Sequence, residues 1–198
     1  VECASRLIRG SGFALGLQMM IGLPGETWAS CQETAVKIAA LKPDCVRLYP
    51  ALVVEGTDLA RWYRQGSYVP LTVEQAADSA AWLLRFFEDR KIAVIRIGLH
   101  AEKSLEKSCI AGPIHPAFGE MVYSRTWRNR LLDRLEKSGS KEKVWKIFVR
   151  PEMLSKAVGQ KRENIRWLAA MGYEVEILPD PSMPAEDPFW IKEVKHCI

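Results

Sequence analysis

The sequence predicts an α/β fold that consists of half of a parallel α/β barrel followed by a small β-α-α-β unit. Apolar strand-like runs alternate with helical patterns three times in residues 1–137, and this alternation indicates βαβ units with parallel strands. A closed barrel of this kind has eight strands, so three strands leave an open edge. After residue 138 the order changes to strand, helix, tight turn, helix and strand, which predicts a separate unit.

Each element of the half-barrel has its own start or stop signal. Thr27, Thr57 and Thr72 precede helical patterns and are predicted N-caps, because a threonine hydroxyl accepts a hydrogen bond from a backbone N–H of the first turn. Gln75, three residues after Thr72, completes a capping box. In chain order the expected elements are a helix at 2–9, a strand at 13–21, a helix from 28 to about 41, a strand at 45–50, a short helix that Gly66 ends, a helix from 73 to about 89, a strand at 91–99 and a helix at 116–137.

The last part of the chain is expected to hold a small domain and a tail. Residues 138–143, SGSKEK, are typical of a linker. They open a domain at 138–180 that contains the β-α-α-β pattern, in which Gly172 ends the second helix. Residues 181–198 carry three prolines and are expected to form a tail.

Composition places the chain among ordinary globular proteins. Apolar residues make up 48% and charged residues 26% of its 198 residues, and no apolar run approaches the roughly 20 residues that span a bilayer. The chain begins with Val1 and has no signal-peptide pattern, so we expect part of a longer cytoplasmic protein without membrane association. The five cysteines have wide, irregular spacing, which favours reduced thiols over disulfides or a metal site. They are Cys3, Cys31, Cys45, Cys109 and Cys197.

Charge is distributed unevenly along the chain. Residues 124–167 contain thirteen Lys and Arg against five Asp and Glu, although the whole chain has a net charge of only +4. Such asymmetry indicates an anionic partner for this segment. The alternative is a solvated helical face that binds nothing.

The stretch MMIGLPGET, residues 19–27, marks the end of the first strand. Ligands in parallel α/β folds bind at the carboxyl ends of strands. Gly22 and Gly25 allow close backbone approach or a positive φ, and Pro24 stiffens the turn. Glu26 lies near the N-terminus of the next helix, where negative charge is favourable. Both this structural role and a direct ligand contact are open for Glu26.

Two arginines interrupt apolar strands, Arg47 in CVRLYP and Arg96 in AVIRIG. An unpaired charge beneath a covering helix is costly, so both are expected to point into the barrel interior and hold a carboxylate or phosphate there. Gln18 is a third polar residue in mid-strand, and strand alternation puts Tyr49 on the face of Arg47. The alternative is a buried salt bridge to an acidic residue of the missing half of the barrel.

Two histidines are candidates for acid–base chemistry, because their ordinary pKa lies near neutrality. They are His100, after the third strand, and His115, before the long helix. A purely structural role is the alternative for both, and no catalytic residue is assigned.

Three segments resemble the second half of radical S-adenosylmethionine (SAM) proteins: LGLQMMIGLPGET, KPDCVRLYPALVVEGTDLARWYRQGSYVPLT, and VIRIGLHAE together with AGPIHPAFGEMVYS. The resemblance covers residues 1–135 and is greatest to bacterial relatives of the elongator complex catalytic subunit. It implies that the chain is the C-terminal half of a partial (β/α) radical SAM barrel. The motif GLPG also occurs in relatives that oxidise coproporphyrinogen, so this branch is an alternative, whereas RLYPALVVEGTDL is typical of the elongator-like branch.

The resemblance also implies SAM and a 4Fe-4S cluster as cofactors of the full-length protein, which would act on tRNA or another RNA. In the family a CxxxCxxC motif in the first half of the barrel holds the cluster. This chain has no such motif and no recognisable acetyltransferase domain, so we expect no cluster on its own cysteines, no activity alone, and the N-terminal half of the barrel as its partner. Gln18, Gly22, Gly25, Arg47 and Tyr49 are the cofactor-binding residues that carry over, and the strand argument adds Arg96.

The β-α-α-β unit is similar to KH RNA-binding domains. The segment SKAVGQKRENIRWL resembles their helix–GxxG–helix core, in which small residues let the nucleic-acid backbone approach. Gly159 occupies the first glycine position, whereas Arg162 stands at the second. Lys161 and Arg162 are the expected RNA contacts, and a structural α/β appendage is the alternative.

Overall fold

The computed structural model describes residues 1–99, 103–139, 144–184 and 189–194. His100, the linker residues 140–143 and the last residues of the expected tail, including Cys197, lie outside the described residues.

The helices and strands follow the expected order along most of the chain. The helices are α1 (Glu2–Gly10), α2 (Trp28–Ala40), α3 (Asp58–Arg64), α4 (Val73–Glu88), α5 (Lys103–Ser108), α6 (Phe118–Lys137), α7 (Leu154–Val158) and α8 (Glu163–Ala170). The strands are β1 (Gly16–Ile21), β2 (Cys45–Pro50), β3 (Val53–Val54), β4 (Ala93–Ile97), β5 (Cys109–Ala111), β6 (Val144–Val149), β7 (Glu174–Pro179) and β8 (Phe189–Glu193). Thr27, Thr57 and Thr72 each accept a hydrogen bond from a first-turn backbone N–H, so the three predicted N-caps are confirmed.

The chain divides into two compact units, Val1–Val122 and Tyr123–Ile198. The sequence interpretation places the boundary after residue 137 instead. The difference arises because apolar residues of α6 belong to the core of the second unit. These residues are Trp127, Leu131 and Leu135.

The first unit contains a three-stranded parallel sheet in the order β1-β2-β4, which confirms the predicted α/β fold with parallel strands. One face of this sheet is buried: Met19, Ile21, Val46 and Leu48 are 2% exposed or less. Helices α2 and α4 pack against β1, and α4 also packs against β4. Burial of each such aliphatic side chain contributes about 1.5 to 3 kcal/mol, so this face provides much of the unit's stability.

Strands β3 and β5 form an antiparallel pair that the sequence does not predict. They contain two and three residues, which is too short for the alternating pattern by which strands are recognised. Val53 of β3 packs with Ala60 and Tyr68 in a small core cluster. This cluster holds the segment that follows β2.

The second unit contains a sheet in the order β7-β6-β8, with β7 parallel and β8 antiparallel to β6. Ile147 and Val149 of β6 are fully buried together with Leu168 of α8. Within the segment 181–198, expected as a surface tail or docking arm, residues Phe189–Glu193 form β8, whose Phe189 is buried in the same core. Three prolines, at 181, 184 and 188, precede this strand. They outweighed the apolar pattern of the strand in the sequence interpretation.

Across the described ranges, every helix is too short or too polar to cross a lipid bilayer.

Candidate functional site

The face of the β1-β2-β4 sheet opposite to the helix-covered face is open. Gln18 and Met20 of β1 and Arg47 of β2 are exposed, whereas their neighbours along each strand are buried or half-buried. Arg96 of β4 is exposed as well. The arginine side chains therefore lie away from the helix-covered core, in the orientation that the cost of burying an unpaired charge requires.

Gln18, Arg47 and Arg96 stand in one row across the three strands. The register pairs Gln18 with Arg47 and Arg47 with Arg96, and neighbouring strands are about 4.8 Å apart. An irregularity in the β2–β4 pairing just before Arg47 is decisive, because a continued regular register would put Ile95 opposite Arg47. Two guanidinium groups in register on one face can both reach an anion placed between them.

The second row on this face pairs Met20 with Tyr49. Tyr49 is half-buried and lies one residue from the end of β2. The two rows together provide an amide, two guanidinium groups and a phenol, with Gln18 and Arg47 in mid-strand and with Tyr49 and Arg96 one residue from the carboxyl ends of β2 and β4. The carboxyl end is the end at which ligands bind in folds of this class.

The Gly22–Gly25 turn follows β1 directly and is fixed by side chains on both sides. Gly22 and Gly25 have φ values of 82° and 74°, a conformation that favours glycine. The backbone N–H of Gly22 donates to Glu26 Oε2 at 2.6 Å, and its carbonyl accepts from the Tyr68 hydroxyl at 2.6 Å. A Cβ atom on Gly22 would lie 2.9 Å from Leu71 Cδ1, so a side chain is excluded there.

The sequence places Glu26 at the N-terminus of α2, but its carboxylate serves the turn instead. The side chains of Thr27 and Ser30 cap α2 reciprocally. Glu26 therefore acts as a structural brace for Gly22. Tyr68, which completes that brace, gave no signal in the sequence, because its position 46 residues after Gly22 depends on the tertiary fold.

The same carboxylate influences two neighbouring acids. Burial, reinforced by the negative charge of Glu26, raises the pKa of the Tyr68 hydroxyl. The same causes, in the same order, raise the pKa of the Cys31 thiol to about 11. Tyr68 therefore stays protonated as a hydrogen-bond donor at neutral pH, and Cys31 is a buried thiol rather than a thiolate nucleophile.

The His115 side chain takes part in a turn. Its Nδ1 atom accepts a hydrogen bond from the backbone N–H of Ala117 at 3.1 Å. The ring is exposed and contributes to a small, mostly apolar cleft beside Pro50 and Gly98, after strands β2 and β4.

In the second unit, the turn between α7 and α8 has an unusual backbone. Gly159, Lys161 and Arg162 have φ values of 75°, 49° and 61°. Positive φ values are costly for residues with side chains, so two successive basic residues in this conformation need strong local support. Gly159 itself has no room for a side chain, since a Cβ atom would lie 2.7 Å from Ser124 Oγ. Lys161 and Arg162 are both exposed.

The support comes from Asn164, a buried residue that the sequence interpretation did not identify. Its Nδ2 atom donates to the carbonyl oxygens of Ser124, Lys156 and Ala157 at 3.0, 3.2 and 3.0 Å. The Ser124 hydroxyl donates to Glu163 Oε1 at 2.7 Å. Hydrogen bonds of this kind between the end of α7, the start of α8 and α6 hold the turn in place.

Several basic side chains of this unit contact aromatic or acidic side chains of the same unit. The Arg128 guanidinium lies 4.4 Å from the Trp167 ring centroid, and the Lys156 ammonium lies 4.8 Å from that of Tyr123. Lys146 pairs with Glu176 at 3.5 Å. Lys161 and Arg162 are thus the basic residues that the fold presents at an exposed turn.

Within the described ranges, no three His, Cys, Asp or Glu side chains are grouped so as to hold a metal ion. The described cysteines are dispersed: Cys3 is exposed, Cys31 is buried, and Cys45 and Cys109 are half-buried. Their wide spacing differs from the close spacing of cysteine ligands in iron–sulfur motifs.

Comparison with known protein families shows which domain family the first unit resembles. The radical SAM C-terminal domain family matches residues 43–128, a range that includes Arg47, Tyr49 and Arg96. Residues 43–128 are therefore similar to radical SAM C-terminal domains. Gln18 and the Gly22–Gly25 turn precede the matched range.

Curated proteins similar to this chain include a "tRNA uridine(34) acetyltransferase" of Methanocaldococcus jannaschii, 33% identical over 78 residues. That alignment covers 38% of this chain and 14% of the relative. Protein YhcC of Escherichia coli K12 is 26% identical over 81 residues, which cover 41% of this chain and 26% of that protein. The chain therefore spans only a small part of the curated relatives that it matches.

A solved structure shows the same fold. It is Elp3 of Methanocaldococcus infernus with an N-terminal deletion, and it superposes with a TM-score of 0.52 at 22% identity. The superposition covers 70% of this chain and 30% of that chain. At this identity the likeness concerns the fold.

The hydrogen bonds of Asn164 predict a large cost for its removal. Asn164→Ala removes the donor that two buried carbonyl groups and one part-buried carbonyl group share, and we expect the unfolding free energy to fall by about 2 to 4 kcal/mol. Gln160→Ala, on the exposed part of the same turn, should change it by less than about 0.5 kcal/mol. Both unfolding free energies can be measured by urea unfolding, with hydrogen exchange of residues 154–170 as the readout. Equal stability of the two variants would contradict this role of Asn164.

Proposed function

We propose that the first unit forms part of the SAM- and substrate-binding wall of an elongator-like radical SAM enzyme. The observation that carries this proposal is the row of Gln18, Arg47 and Arg96 on the open face of the parallel sheet. In this proposal the three strands are the C-terminal half of a partial barrel. An N-terminal half that holds the cluster completes it, and the chain is inactive alone.

The chemistry of the donor set fits the amino-acid end of SAM. A guanidinium group binds a carboxylate through two parallel N–H···O hydrogen bonds, and the Gln18 amide supplies a further donor. When bound, SAM and a 4Fe-4S cluster supply the reductive cleavage of SAM. The residues of this chain bind and orient the carboxylate, while Gly22 and Gly25 let the turn backbone approach the ligand and Tyr49 borders it.

The proposed substrate is RNA, and tRNA in particular. The elongator-like relatives favour this branch over the coproporphyrinogen-oxidising one. A cytoplasmic location is part of the same proposal, since reduced, scattered thiols are typical of that compartment.

A second proposed function is RNA binding by the second unit, which we take to be KH-like. Its observed order β6, α7, α8, β7 supports the proposal. The turn at Gly159–Arg162 presents Lys161 and Arg162 on a backbone that Asn164 fixes. A rigid turn loses little conformational entropy when it contacts phosphate.

The wall proposal predicts that Arg47→Ala weakens the binding of S-adenosylhomocysteine to the full-length protein. A charged hydrogen bond contributes about 1.5 to 3 kcal/mol, so we expect affinity to fall by roughly ten- to a hundredfold. Arg47→Lys should recover part of this loss, because it keeps the charge but not the forked geometry.

Isothermal titration calorimetry measures these affinities, and thermal unfolding measures stability. Arg61→Ala is the matched control, since Arg61 lies exposed on α3 and pairs with Asp58. Wild-type affinity in Arg47→Ala, or an equal loss in Arg61→Ala, would refute the wall assignment.

The RNA proposal predicts that replacing Lys161 and Arg162 by Glu removes most tRNA binding without unfolding the unit. Phosphate contacts release counterions, so the log–log dependence of affinity on salt has a slope of about −0.7 per phosphate on a single strand. Three or four contacts give a slope of roughly −2 to −3. Fluorescence anisotropy at several salt concentrations measures it.

The control for this test carries the same change of charge elsewhere in the unit. Arg134 and Lys137, both exposed near the end of α6, are replaced by Glu. Binding that is lost equally in both double variants would mean that only net charge matters. Unchanged binding in the turn variant would rule out the turn as the contact.

A further inference from the structure

The sheet of the second unit also has one covered and one open face. Trp145, Ile147 and Val149 of β6 are buried in the core, so Lys146 and Phe148 point to the opposite face. On β8, Phe189 and Ile191 belong to the core, so Trp190 and Lys192 share the open face. Trp190 is 51% exposed. This is a large fraction for a tryptophan, because tryptophan residues are highly buried on average.

Two aromatic rings lie side by side on this open face. Phe148 and Trp190 are directly opposite each other in the β6–β8 register, and their ring centroids are 5.4 Å apart at 45°. Hydrogen bonds from the Ser182 hydroxyl and backbone N–H, and more weakly from the Trp190 side chain, lower the pKa of the Asp180 carboxyl. About half of the Trp190 surface faces solvent beside the Phe148 ring.

The next row of the same face pairs two lysines. Lys146 is directly opposite Lys192, an arrangement that is unfavourable for like charges. Glu176 of β7 lies 3.5 Å from Lys146 on its other side. The acidic side chains of the face thus lie along β7, whereas the lysines lie toward β8, beside the aromatic pair.

We propose that this open face binds single-stranded RNA, with bases stacked on Phe148 and Trp190 and phosphates beside Lys146 and Lys192. Aromatic rings that alternate with cationic groups match the alternation of bases and phosphates along a strand. An apolar protein partner would bury the facing lysines without enough counter-charge, which is unfavourable. The inference rests on the proposal that the second unit binds RNA, and adds a stacking surface that is chemically distinct from the basic turn.

The test measures the affinity of the 198-residue chain for two labelled oligonucleotides, each of about twelve nucleotide units. One is oligouridylate, and the other is an abasic strand with the same number of phosphates. Stacking on one aromatic ring changes affinity by roughly five- to a hundredfold. We expect Trp190→Ala to weaken oligouridylate binding within this range, to leave the salt slope unchanged, and to leave the abasic strand unaffected.

Further variants separate stacking from folding and from charge. Trp190→Phe keeps a ring and should retain most of the affinity. Lys192→Ala should reduce the salt slope by one phosphate contact. Trp62→Ala is the matched control, because Trp62 is a 40% exposed tryptophan on α3 of the first unit, and it should bind as the wild type does.

The outcomes distinguish this inference from the basic-turn proposal. If Trp190→Ala binds oligouridylate as tightly as the wild type while the Lys161/Arg162 variant loses binding, the stacking inference fails and the turn stands. An equal loss for the abasic strand would also overturn stacking. If only the Trp190 variant loses binding, stacking stands and the turn fails. No binding by the wild-type chain at low salt overturns both.

Discussion

A charged side chain cannot be buried beneath a covering helix without a partner, and this constraint organises the first unit. The apolar residues of β1 and β2 fill one face, which α2 and α4 cover. Arg47 and Arg96 must then lie on the other face, since one unpaired buried charge would cost more than a domain's marginal stability allows. The open face, its row of cationic groups and the ligand that we assign to it all follow from this division.

The same division into a covered and an open sheet face recurs in the second unit. There, however, the open face carries aromatic rings and lysines rather than a glutamine and arginines. One surface is suited to a compact carboxylate, the other to an extended polyanion with flat bases. In the proposed enzyme, the first would bind the cofactor and the second would help to hold the RNA.

Local signals in the sequence predicted much of this structure. Threonine caps, apolar periodicity and terminal glycines identified most helices and all three parallel strands of the first sheet, because these features depend on neighbours in sequence. The open-face orientation of Arg47 and Arg96 was also predictable, since it follows from the cost of burial. The features that escaped prediction depend on distant contacts. The Gly22–Tyr68 hydrogen bond, the register shift that brings Arg96 opposite Arg47, and the strand β8 behind its prolines are examples.

The central claim is that Arg47 and Arg96 together hold a carboxylate, and arginine side-chain NMR tests it most directly. The Nε–Hε signals of both residues, assigned with Arg47→Lys and Arg96→Lys, are followed in the full-length protein. S-adenosylhomocysteine carries the amino-acid carboxylate of SAM, whereas 5′-methylthioadenosine lacks it. The account predicts that both signals shift on addition of the first compound and stay in place with the second. Equal shifts with both compounds, or bound S-adenosylhomocysteine that moves neither signal, would contradict it.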